Sequence, residues 1–161
     1  DEAVKFPVWF EPVANGGTPM CQALRSAHAL LQSWVAQHQS SYPPIVINIT
    51  DGESTDGDPT PHALEIAKLA TADGNVLVLN CHLSSHTASP IVFADSEAGL
   101  PDEFARVLFG MSSVLPSTLR ETAQSEGFAV SEGARGFAFN ADLVELVRFL
   151  DIGTRPSNLL R

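Results

Sequence analysis

Basic residues are scarce: nine lysines and arginines stand against nineteen aspartates and glutamates in 161 residues, a formal charge of −10. A surface this acidic repels a phosphate backbone, so nucleic acid is excluded as the expected partner. Basic protein surfaces and divalent cations remain compatible with it, although such a balance is also ordinary for a soluble protein. Cysteine is nearly absent. Cys21 and Cys81 lie far apart with no Cys-x-x-Cys spacing, which excludes a disulfide framework and reads as two small buried residues in a reducing compartment. No apolar run approaches the length of a membrane span, and no basic-then-apolar leader opens the chain, so neither membrane nor secretion is expected and the cytoplasm is the expected location. The chain opens at Asp1, without methionine, and is expected to be a processed or trimmed piece of something longer. Internal repeats and low-complexity tracts are lacking as well. The length suits one domain, placed at residues 1–153, with a tail at 154–161.

What the chain does have is centred on Pro44-Ile45-Val46-Ile47-Asn48-Ile49-Thr50-Asp51-Gly52-Glu53. Four β-branched residues within five positions, bounded by prolines and a Thr-Asp-Gly stop, predict a strand buried on both faces inside a parallel sheet. The stop places a hydroxyl and a carboxylate at the carboxyl end of that strand, where ligands bind in open α/β sheets.

Upstream, Val4 to Val13 reads as a strand, with Pro7 and Pro12 pushing it to an edge or a terminus. Asn15-Gly16-Gly17-Thr18-Pro19 follows; Thr18 stands where a helix N-cap belongs, Pro19 at the first helical position, and Met20 to His38 carries helical apolar spacing. Beyond the central strand, Thr60-Pro61 repeats that signature and opens a helix running to Ala70, which Asp73-Gly74 closes. Val76 to Leu79 is a second buried strand, so strand, helix and strand form a βαβ unit with a right-handed crossover. The loop from Cys81 to Ser89 then lies at the same sheet edge as Asp51. Ile91 to Phe93 is a short extra strand, and Pro101–Val114 and Pro116–Gln124 are two helices. A last strand spans Ala134–Phe139, and Asn140 caps a final helix that stops at Gly153. The fold class expected is α/β: a doubly wound, mainly parallel sheet flanked by helices.

Gly-Gly-Thr-Pro before a helix and Thr-Asp-Gly after the next strand resemble the von Willebrand factor type A family, over most of the chain from Phe6 onward. That resemblance implies a VWA/Rossmann-like fold with a divalent cation held at the carboxyl edge of the sheet in a metal-ion-dependent adhesion site. Residue by residue, Thr18 matches the family's threonine ligand and Asp51 its aspartate. Mg²⁺, or Mn²⁺ or Ca²⁺ in its place, is the cation implied; hard cations of this kind take oxygen ligands, and Mg²⁺ keeps several waters. An ion with few protein carboxylates is left open to one more from a partner, so the implied partner is a protein presenting an acidic residue. Gly17, Glu53, His82 and Ser84 are placed on the rim of that surface. The family's Asp-x-Ser-x-Ser has no counterpart in residues 1–161. The chain is therefore expected to begin inside the third strand of the fold, without the first strand–helix–strand elements and with part of the metal site. Gly136-Phe137-Ala138-Phe139-Asn140-Ala141-Asp142 and Phe149-Leu150-Asp151-Ile152-Gly153-Thr154 are similar to bacterial cytosolic VWA proteins associated with tellurium resistance, which implies a non-enzymatic adaptor beside a kinase and a phosphatase in a stress response.

Other groupings read blandly. Cys81, His82 and His86 have a zinc-like look, but the segment reads as loop and lacks a further ligand pair. Glu53, Asp56 and Asp58 lack the spacing of an EF-hand and read as a solvated acidic loop. Ser26 with His28, or Ser84 with His86, is not set in a Gly-x-Ser-x-Gly turn. The alternative function is a metal-dependent hydrolase or phosphotransferase using Asp51. Such a site wants a second carboxylate converging on Asp51 and a cation for the phosphate, and the only lysines, Lys5 and Lys68, are not placed there.

Overall fold

The computed structural model describes residues 16–51, 53–84 and 88–154. The strand expected at Val4–Val13, His86 and the tail beyond Thr154 lie outside the described residues. The elements are α1 (Met20–Gln37), β1 (Ile45–Thr50), α2 (Thr60–Ile66), β2 (Ala70–Thr71), β3 (Gly74–Asn75), β4 (Leu77–His82), β5 (Ile91–Val92), α3 (Glu103–Met111), α4 (Ser117–Ser125), β6 (Phe137–Phe139) and α5 (Leu143–Thr154). This is a mixed α/β architecture. Among the described residues its main sheet has four strands in the order β1-β4-β6-β5, with β1, β4 and β6 parallel and β5 antiparallel to β6.

The βαβ unit stands as expected: β1 pairs with β4 in parallel register, Ile45 opposite Leu77 through Thr50 opposite His82. The burial is distributed differently. β4 is the strand buried at every position, whereas β1 is half-exposed along most of its length and Ile49 is 46% exposed. Both sequences are equally apolar; β4 lies between two strands, and β1 has β4 on one side only among the described residues. Burial on both faces is a property of position in the sheet, which composition alone does not record.

Alternation along β4 splits the core in two. Val76 and Val78 pack with Phe137 and Phe139 against α1, α2 and α3 through Leu24, Ile66 and Leu108. Leu77, Leu79 and Cys81 pack on the opposite face with Leu119, Ala123, Phe149 and Ile152 of α4 and α5. Helices thus cover both faces of the sheet. Gly136 and Gly153 permit the tight approach on that second face: a β-carbon on either would stand 2.5 Å and 2.8 Å from Leu79 carbons. One polar chain crosses the first face. Asn48 Nδ2 donates to Asn80 Oδ1 at 2.9 Å, Asn80 Nδ2 to Ser112 Oγ at 3.0 Å, and Ser112 Oγ to the Leu108 carbonyl at 2.8 Å. Asn80 is fully buried and these bonds satisfy its amide.

Several boundaries move. α2 ends at Ile66, short of Ala70, and Asp73-Gly74 instead sits in the turn of a two-stranded β2–β3 hairpin, where Gly74 has φ +143°. Asn140 does not cap α5. It adopts φ 48°, while Asp142 caps the helix with a reciprocal pair: Glu145 N–H to Asp142 Oδ1 at 2.8 Å and Asp142 N–H to Glu145 Oε2 at 3.1 Å. α5 continues through Gly153 to Thr154 because that glycine is packed against Leu79 in the core.

Candidate functional site

The carboxyl edge of the sheet is built from the turn before α1, the loop after β1 and the loop after β4. Parallel pairing brings the last two together, and the Leu83 N–H donates to the Thr50 carbonyl at 2.8 Å. The first joins them through backbone as well: the Thr18 carbonyl accepts from the Thr55 N–H at 2.9 Å and from the Met20 N–H at 2.8 Å. Thr18 and Asp51, expected as metal ligands, therefore stand on loops hydrogen-bonded to each other at one end of the molecule. Thr18 is half-buried; Asp51 and Glu53 are exposed. Gly17 suits that closeness, since a β-carbon there would stand 2.5 Å from Thr55 Oγ1 and the Thr55 side chain would have to move.

The N-terminus of α1 is capped in a way the sequence reading missed. Thr18 makes no cap; Pro19 occupies the cap position and no side chain of its own turn serves α1. The donors are met from the other loop instead. Asp56 accepts the Cys21 N–H on Oδ1 at 2.9 Å and the Gln22 N–H on Oδ2 at 2.8 Å, with Ser54 Oγ donating to Oδ1 at 3.1 Å. Partial desolvation would raise the Asp56 pKa, but the two amides, the Ser54 hydroxyl and the Cys21 thiol outweigh it and hold the group down at about 2. Asp58 likewise accepts the Thr60 N–H at 2.9 Å, a bond that, with the Thr60 side chain, lowers its pKa. Two of the three carboxylates read as a solvated acidic loop are thus engaged in shaping it. No local signal marked the role of Asp56, because the amides it serves lie on a helix distant in sequence.

The loop after β4 is set by Asn140, whose Oδ1 accepts the Ser84 N–H at 2.8 Å and whose own N–H donates to the His82 carbonyl at 2.9 Å. Ser84 is half-buried at this edge. His82 is not on the rim surface: it is 5% exposed and packs edge-on to Phe104 and Phe139, with ring centroids 4.9 Å and 5.2 Å away. Cys81 points to the other face of the sheet, into the cluster with Leu79 and Phe149. Adjacent residues on a strand cannot turn to one ion, so Cys81 and His82 do not share a metal. Burial pushes the Cys81 thiol up to about 11, which removes it from thiolate chemistry at neutral pH.

The donor chemistry at the edge is all oxygen, a hydroxyl from Thr18 and carboxylates from Asp51 and Glu53, and it suits a hard cation holding water. Among the described residues no group of three or more His, Cys, Asp or Glu forms a cage for a metal. The ion pairs found among them, Lys68 with Glu65 and Arg106 with Glu103, involve neither Asp51 nor Glu53. No helix among the described residues is long and apolar enough to cross a membrane. A scan against protein-family models and searches of curated proteins and of solved structures found no match to this chain.

Proposed function

We propose that the chain is a non-enzymatic protein-binding module of the von Willebrand factor A type, whose contact surface is the carboxyl edge of the sheet. Thr18 and Asp51 would hold Mg²⁺ there, and the ion would accept one further carboxylate from a partner protein. The observation that carries this reading is the backbone bond from Thr55 to Thr18, which joins the loop of the hydroxyl to the loop of the carboxylate. The resemblance of Gly-Gly-Thr-Pro and Thr-Asp-Gly to that family supports it further, and so does the acidic balance of the chain. On the same resemblance the role is that of an adaptor in a bacterial stress response, beside a kinase and a phosphatase.

The test uses Mn²⁺ as a paramagnetic probe in the full chain. Broadening confined to the amides of Gly17–Thr18 and Asp51–Glu53, weakened at least about tenfold in apparent affinity by Asp51→Ala or Thr18→Ala, supports the site. Broadening spread over the acidic surface and indifferent to both substitutions overturns it. Turnover of a generic phosphate ester that disappears in Asp51→Ala would favour the hydrolase reading in its place.

A further inference from the structure

We draw no further inference here: the strongest candidate, the aliphatic patch that Leu143, Val144 and Val147 expose on α5, carries nothing because nothing in the structure shows what covers it.

Discussion

Asp56 does more for the candidate site than any residue suspected of binding there, because it couples two stretches of chain through a single carboxylate. Both of its oxygens accept from the first turn of α1, where the backbone donors and the helix dipole favour negative charge. Its pKa is depressed to about 2 from an ordinary value near 4, so the folded state binds the proton less tightly than the unfolded chain. Stability from this group is therefore complete above the unfolded value and is lost as pH falls from about 4 through about 2. Thermal melts across that window should show a steeper acid loss in the wild-type chain than in Asp56→Asn, which lacks the titrating group. Equal slopes would show that the carboxylate is not held as described. The neighbouring Gly17 was read only as a rim residue, because the atom that approaches it, on Thr55, belongs to a loop distant in sequence and left no local mark.

At the scale of elements, the sequence is clear wherever periodicity alone decides and unclear wherever capping chemistry is shared between segments. The apolar spacing of Met20–Gln37 and the βαβ order from Ile45 to His82 follow from repeat lengths of 3.6 and 2 residues, and both stand in the structure. The caps do not follow in the same way. Asn140 directly follows a strand and has the right side chain, yet the cap of α5 belongs to Asp142, three residues before the glutamate that completes the pair. The Asp-x-x-Glu spacing was present to be read. Asp142→Ala is expected to cost about 1 kcal/mol in urea-induced unfolding and Asp142→Asn much less, since asparagine also caps. A larger loss in Asp142→Asn than in Asp142→Ala would remove Asp142 from that role. Thr60 misled similarly: it lies within α2, and Asp58 serves its amide from outside the helix.

For the whole molecule, the α/β class was readable because alternating strand and helix patterns permit few layered arrangements. The position of β1 at the edge of the described sheet was not, because which strands flank it depends on pairing across the sheet. The two cysteines give a way to see the molecule open. Both thiols are free and buried, but Cys81 sits on the central strand and Cys21 on the first turn of α1 beside Ser54. Timed alkylation under native conditions should modify Cys21 through local opening well before Cys81, whose exposure needs the sheet to come apart. Asp56→Asn should accelerate Cys21 alone. Simultaneous labelling would mean that the α1 turn and the sheet open as one unit. The amide of Asn48 set against that of Asn80 has a last consequence for that sheet. Sliding β1 by two residues would keep each side chain on its own face but set Val46 or Thr50 opposite Asn80, leaving that buried amide without Asn48, so one polar match helps to hold the strand in its alignment.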